Sequence, residues 1–484
     1  MGNTINTEYP AGFRPHPGRR EILTDASVIT RDNVVTVLQN ALIVHRKNVI
    51  DIKYLWKYYK GIQPILERVK AVRGEINHKI VENRANQIVN FKVGYCFGEP
   101  IQYISKSADE RVSEEIADLN AYVFAEDKAT KDKTLADWNH ICGLGYRMIL
   151  PDSSVEFSDD GDEAPFELYT MDPRNTFVVM RNTPDREPVL GVTYVTTEDQ
   201  VTIYSCYTRD TYFEINDSFF IMKEEPHILG AVPIIEYPLN QERMGCFEVV
   251  LPLLDAMNET ASDRQNGLEQ FIQALMLFQN VDITAEDFAQ LKDLGAIKVK
   301  DVDPQFKADV RYLVNDLNQN SAETLVDHQY QTVLEIVGMP NRNGGSSTSD
   351  TGVATIVRDG WSDAEARAKN TEEMFKVSER RALKLILTIC RTLAGMDLRL
   401  RDIEIRFTRR NYENILQKSQ VLISMLSSDK IAPKLAFEHC GMFADPERAY
   451  LESEAYMKEE GVLNEQTDTE STDNRSTEDD PLRA

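Results

Sequence analysis

The chain has 484 residues, 42% hydrophobic and 27% charged, a length and balance that allow two to four domains around a substantial core. Its 54 Lys and Arg against 79 Asp and Glu leave a formal charge of −25 at pH 7. An overall field of that sign excludes wrapping nucleic acid, so any contact with phosphate must be local.

Residues 1–30 read as a flexible arm, rich in Pro, Gly, Thr and Arg with little periodicity. From Asp32 to Tyr59 the pattern is helical, with Val34, Val37, Leu38, Leu42 and Val49 at three- and four-residue steps. A break at Lys60–Gly61 leads to a second amphipathic stretch, Asn77–Tyr95, ended by Gly98 and Pro100. A short strand at Ile101–Ile104 and helices at about Ala108–Phe124 and Leu135–Cys142 complete a largely helical first part.

Beyond Gly145 the texture is β. Alternating or β-branched runs fall at Tyr146–Leu150, Phe166–Thr170, Thr176–Met180, Val189–Val195, Val201–Tyr207, Tyr212–Ile215 and Ser218–Met222, separated by turn clusters. They predict an antiparallel sheet region, and the chain as a whole reads as α+β.

Gly245–Phe278 predicts one long helix with Phe247, Val250, Leu254, Met257, Ala261 and Leu268 on one stripe. A mixed stretch follows to Asn318, with a helix near Ala285–Leu294 and a strand at Ala296–Val299. A second helix, Ala322–Val337, is followed by a Gly/Ser/Asn/Thr loop and then by the longest helical pattern, Val353–Ala394. A strand at Ile403–Phe407 and two or three short helices over Tyr412–Glu460 precede an acidic, Ser/Thr-rich end at 461–484, which reads as a disordered tail.

Chemistry-bearing signatures are scarce. The cysteines (Cys96, Cys142, Cys206, Cys246, Cys390, Cys440) show no CxxC spacing and read as reduced core residues, and the seven histidines form no HxH or HExxH. Gly143-Leu144-Gly145 lacks the third glycine of a dinucleotide fingerprint, and Gly344-Gly345 lacks the Lys-Ser/Thr of a P-loop. No catalytic residue, metal site or cofactor is expected, and the residues give no reason to read the chain as an enzyme. No apolar run approaches a membrane span, and the N-terminus has no signal-peptide core. Two segments stand out instead. The loop Asn341, Arg342, Asn343, Gly344, Gly345, Ser346, Ser347, Thr348, Ser349, Asp350, Thr351, Gly352 is longer than packing needs and nearly uncharged. Lys298, Lys300, Lys307 and Arg311, interrupted by Asp301, Asp303 and Asp309, form a local basic exception that reads either as a solvated mixed-charge surface or as a place of local phosphate contact.

Several blocks resemble the portal proteins of tailed phages, of the type found in siphophages of Gram-positive hosts. They are Tyr58–Gly61, Asn77–Asn83, Ile88-Val89 and Gly94–Ile101, then His227–Tyr237 with Asn240 and Gly245–Glu248, then Asp255–Asn258 with Ser262 and Asn266, and Thr351–Ala354. Their order and spacing over roughly 35–395 carry the resemblance more than any single block; Thr351 stands where the pattern has Ser. The resemblance implies a wing over 31–245 after the arm, a first stem helix over 246–278, a clip over 279–319 and a second stem helix over 320–338. It further implies a tunnel loop over 339–352, a long wing helix and strand over 353–410 and a helical crown over 411–460. Asn341–Gly352 would then line a DNA channel, and Lys298, Lys300, Asp301, Lys307 and Arg311 would lie in a clip that docks other proteins.

Portal subunits form a ring, typically of twelve copies, at one capsid vertex. The implied partners are other copies of the chain, double-stranded DNA in transit, the terminase large subunit, capsid and scaffolding proteins and a head-completion adaptor. The implied location is the virion, with assembly in the host cytoplasm and no membrane. A ring needs two different complementary faces per subunit. A conduit must not grip phosphates, which suits an acidic chain. The rival readings are a head–tail adaptor, which would leave the helix–clip–helix order unexplained, and a nucleic-acid enzyme with a metal–carboxylate site, for which no convincing acidic set is found.

Overall fold

The structure, a computed structural model, describes residues 13–71, 74–106, 109–152, 163–272, 275–280, 309–313, 319–341, 360–408, 415–428, 430–443, 446 and 448–458. The first helix, α1 (Val34–Tyr59), places Val34, Val37, Leu38, Ala41 and Leu42 in one core and Ile52, Leu55 and Tyr58 in another. Full burial of residues such as Leu38 and Leu55, both 0% exposed, stabilises by about 2 kcal/mol each. Gly61, at φ +87°, turns the chain away.

Strand β1 (Leu23–Thr24) precedes α1, and α2 (Arg84–Cys96), β2 (Gln102–Ser105), α3 (Glu110–Ala125) and α4 (Lys128–Cys142) follow it. Eight strands come next: β3 (Leu144–Pro151), β4 (Phe166–Met171), β5 (Thr176–Arg181), β6 (Pro188–Thr196), β7 (Thr202–Tyr207), β8 (Thr211–Asn216), β9 (Ile221–Pro226) and β10 (Ile234–Pro238). They form a six-stranded sheet ordered β1-β5-β6-β7-β8-β9, with β1 parallel to β5, and a three-stranded sheet ordered β10-β3-β4. Strand β5 is buried on both faces: Phe177 and Val179 meet α1, and Val178 and Met180 meet β3 and β10.

Then come α5 (Leu251–Ile272), β11 (Leu275–Gln279), β12 (Asp309–Leu313), α6 (Gln319–Val337), α7 (Trp361–Leu393), β13 (Ile403–Arg406), α8 (Ile415–Leu426) and α9 (Pro433–Cys440). Residues 448–458 are again helical. Strands β11 and β12 form an antiparallel ribbon, and β13 pairs with β2. Leu251, Leu254 and Met257 of α5 share the largest core with Val333, Leu334 and Val337 of α6, so the two helices lie against each other.

Four expectations are corrected. The arm is not loose over residues 13–30: Arg19 is 3% exposed, and its guanidinium reaches Glu248 at 2.5 Å and the His16 carbonyl at 2.6 Å. The predicted helix at 246–278 ends at Ile272, because Leu275–Gln279 pairs in register with Asp309–Leu313, contacts too remote in sequence for periodicity to reveal. Residues 77–83 are not helical: the backbone N–H groups of His78, Ile80 and Glu82 are taken by side chains of α5, and Asn83 turns at φ +43° into α2. The strand expected at Ser218–Met222 begins at Ile221, after a turn in which Phe219 has φ +62°. Strand β10 was not anticipated at all. The expected elements at 285–294 and 296–299 and the tail at 461–484 lie outside the described residues.

None of the six cysteines is joined in a disulfide, and every one except Cys246 is buried. Among the described residues no helix is long and apolar enough to cross a membrane, and no group of three His, Cys, Asp or Glu could hold a metal ion.

Candidate functional site

The loop after α6 can be followed to its base. Gly338, at φ +65°, turns the chain out of the helix, and the Met339 N–H closes the last turn on the Leu334 carbonyl at 2.9 Å. Pro340 follows, and a proline cannot continue a helix. On the far side Gly360, at φ +80°, opens α7, and its carbonyl accepts the Ala364 N–H at 3.2 Å. A Cβ added to Gly360 would sit 3.8 Å from Pro340 Cα. Pro340 and Gly360, on either side of residues 342–359, are therefore adjacent.

That junction rests on α2. Phe91 and Tyr95 stack with ring centroids 5.8 Å apart, and both meet Trp361, at 6.2 and 6.0 Å. The Tyr95 hydroxyl donates to Glu365 at 2.9 Å. Toward α6, the Arg84 guanidinium lies 4.3 Å from the Tyr330 ring centroid, and Gln87 donates to the Tyr330 hydroxyl at 3.0 Å. A cavity of about 500 Å³ between them is lined by Gln87, Phe91, Tyr330, Leu334, Met339, Pro340 and Asn341. Asn341 is thus placed at the foot of the loop; Arg342–Gly352 lie outside the described residues.

Helix α5 is held by a polar ladder. Asn258, Ser262 and Asn266 stand at i, i+4 and i+8 on one face, 3%, 0% and 2% exposed. Their side-chain oxygens accept alternate backbone N–H groups of the extended segment: Glu82 to Asn258 at 3.0 Å, Ile80 to Ser262 at 2.9 Å, His78 to Asn266 at 2.7 Å. Two residues of extended chain advance about 6.6 Å and four of helix about 6.0 Å, so the two repeats stay in step. Asn258 also donates to Gln63 at 2.5 Å. The same helix receives Tyr58, whose hydroxyl donates to Asp255 at 2.9 Å, and Arg14, 2.6 Å from the other Asp255 oxygen.

The ribbon at the far end of α5 and α6 places Arg311 opposite Leu277. Lys298, Lys300, Asp301 and Lys307 lie outside the described residues, so only the backbone of Arg311 has a place in the expected patch.

Helix α7 carries a buried charge cluster that the sequence did not signal. Glu379, 0% exposed, accepts from Tyr103 at 2.6 Å, Tyr237 at 2.7 Å and Lys128 at 2.9 Å, with Arg147 at 3.5 Å. Lys128 also reaches Asp132 at 2.7 Å, and Arg147 bonds the other Asp132 oxygen. Burial pushes the Glu379 carboxyl up, but Lys128 and Arg147 outweigh it and hold it below the usual carboxylate range. Two cations and two carboxylates cancel, and all four elements involved are tied to the centre of α7. Elsewhere, burial pushes the Glu248 carboxyl up to about 7 against the pull of Arg19.

These arrangements are structural locks; none brings a nucleophile, a base and an open pocket together. The family model described as phage portal protein, SPP1 Gp6-like, matches residues 42–466. The chain belongs to this portal family. Its mixed helix and strand content fits the family, whose members are structural rather than enzymatic, and membership makes this portal chain a phage virion component. Among solved structures, one described as the neck of an empty GTA particle computed with C6 symmetry is similar over 74% of this chain and 90% of that one. The identity there is 11% and the TM-score 0.43. No curated protein matches the sequence.

The motifs behind the sequence resemblance now have a physical meaning. Asn77–Asn83 and Asn258, Ser262 and Asn266 are the two sides of the ladder, and Tyr58 meets Asp255 beside it. Small polar residues every fourth position on an otherwise apolar helix face were the signal available in the sequence. For the Glu379 cluster there was none, because its members are dispersed between residues 103 and 379.

Proposed function

We propose that this portal-family chain assembles into a closed ring, of about twelve copies, at one vertex of a siphophage-type capsid, and that the ring is the channel through which double-stranded DNA is packaged and ejected. The observation that carries the reading is the order of elements in a family match spanning 42–466. Two packed helices, α5 and α6, are joined through an antiparallel ribbon, and a loop with adjacent ends follows the second. In this reading α5 and α6 are the stem, the excursion through β11 and β12 is the clip, and Asn341–Gly352 is the tunnel loop. The clip, with Lys298, Lys300, Asp301, Lys307 and Arg311, docks the terminase large subunit during packaging and a head-completion adaptor afterwards. Capsid and scaffolding proteins surround the ring, which forms in the host cytoplasm.

The charge of −25 supports a conduit, since a wall that bound many phosphates would stall the DNA. The test is native mass by light scattering with electron microscopy of the same peak. A hollow ring near twelve subunit masses is expected. A ring without 344–349 should still assemble yet yield capsids without full-length DNA. Capsids that fill normally with that variant, or a ring whose channel wall is mainly Lys and Arg, would overturn the channel assignment.

A further inference from the structure

The second half of α7 presents a cationic ridge. Arg380, Arg381 and Lys384 are exposed on it, and among the described residues none of the three has a carboxylate or carbonyl partner. The only carboxylate in the same stretch, from 376 to 391, is the buried Glu379. Grooves run on both sides of the ridge. One, of about 430 Å³, adds Arg209 to Arg381 and Lys384 over a floor that includes Leu229, Val232 and Leu385. The other, of about 420 Å³, adds Lys106 and Arg401 to Arg380. The acidic groups along them already have partners: Glu187 pairs with Arg181, Glu236 with Arg243, Glu373 with Lys376 and Glu404 with Arg406. Arg209 donates to the Gly230 carbonyl and Arg401 lies 3.5 Å from Asp402, which leaves Arg380, Arg381 and Lys384 as the unpaired cations of the ridge, out of keeping with a chain of charge −25.

The chain itself contains a complementary segment. Residues 459–484 hold nine Asp and Glu against two Arg, and their one pair of adjacent branched apolar residues, Val462-Leu463, is flanked by Glu459, Glu460 and Glu465. We propose that this acidic C-terminal segment docks on the α7 ridge of its own or an adjoining copy, its carboxylates on Arg380, Arg381 and Lys384 and its apolar pair on the Leu229–Leu385 floor. The apolar floor favours this occupant over a nucleic-acid duplex, whose backbone presents phosphates and sugars but no branched apolar side chain. Twenty-six residues can extend roughly 85 Å. A built-in polyanion on the ridge would shield it from other polyanions.

The test uses the chain ending at Lys458, a fluorescent peptide of residues 459–484 and a fluorescent 20-base-pair duplex. The peptide should bind the shortened protein, weaken at least tenfold between about 50 and 300 mM salt and compete the duplex off. R380Q/R381Q/K384Q, which changes only exposed side chains, should lose peptide binding at least tenfold while keeping its melting temperature. The full-length chain should bind the duplex at least tenfold more weakly than the shortened one. The proposal is overturned if the peptide fails to bind the shortened chain or binds the triple variant equally well. Duplex binding that the peptide cannot displace would overturn it too, and would assign the ridge to nucleic acid.

Discussion

Ser262, in the middle of α5, is tied to Ile80 across 182 residues of chain: its hydroxyl accepts the Ile80 N–H at 2.9 Å and donates to the Asn258 carbonyl at 2.7 Å. One fully buried hydroxyl thus fixes both the helix and the extended strand beside it, and the register of the two neighbouring rungs follows from it.

Removing a rung leaves a backbone donor without its acceptor, which costs about 1–3 kcal/mol. Asn258→Ala should fall at the upper end, since the side-chain oxygen of Gln63 loses its donor as well. Ser262→Ala should fall near the lower end. Denaturant unfolding gives the magnitude, and hydrogen exchange locates it: in Ser262→Ala the Ile80 amide should lose protection before those of α1. Unchanged Ile80 protection would show that the ladder does not hold the strand.

The Glu379 cluster is neutral only when complete. Glu379→Gln keeps the shape but leaves Lys128 and Arg147 to share Asp132, and breaking such a buried network should destabilise by roughly 3–5 kcal/mol. Thermal unfolding of the variant should move far more than that of Glu373→Gln, whose salt bridge with Lys376 is on the surface.

Two buried imidazoles set a pH dependence. His45 packs against Phe177 with centroids 4.3 Å apart and the rings tilted by 31°, His140 bonds the Ala136 carbonyl at 2.7 Å, and burial pushes both down to about 4 from 6.5. Between those pH values the unfolded chain binds more protons than the folded one. Their contribution is therefore complete above about pH 6.5 and lost as pH falls to about 4, roughly 3 kcal/mol for each group. Urea unfolding of His45→Gln should show a shallower loss of stability over this window than the parent chain; an identical slope would count against it.

Gly338→Ala should cost about 1–2 kcal/mol, because φ +65° is left-handed and the new Cβ meets the Arg367 side chain. Arg367 can swing aside, so the backbone term dominates. Gly143→Ala should cost more. There the Cβ lands 2.0 Å from the Arg243 carbonyl oxygen, which is main chain and cannot give way. Comparing the two melting temperatures checks the order.

The sequence by itself determined the elements whose partners lie within a turn or two of chain. The three- and four-residue steps of Val34, Val37, Leu38 and Leu42 gave α1, and alternating or β-branched runs between turn clusters gave β5 to β8, because such local patterns follow from how a helix or strand faces the core. The blocks around Asn77, Tyr58 and Asn258 carried the family, though not the reason for their co-occurrence. What only the tertiary structure decided were the contacts between distant segments. Arg19 looked like part of a loose arm until Glu248 enclosed it. Residues 77–83 read as helix until α5 supplied acceptors for their N–H groups. Leu275–Gln279 continued a helical stripe until β12 offered a full set of strand bonds. In each case a hydrogen bond or ion pair spanning from about thirty to more than two hundred residues outweighed a local preference worth a few tenths of a kcal/mol per residue, and no pattern within one segment encodes its partner.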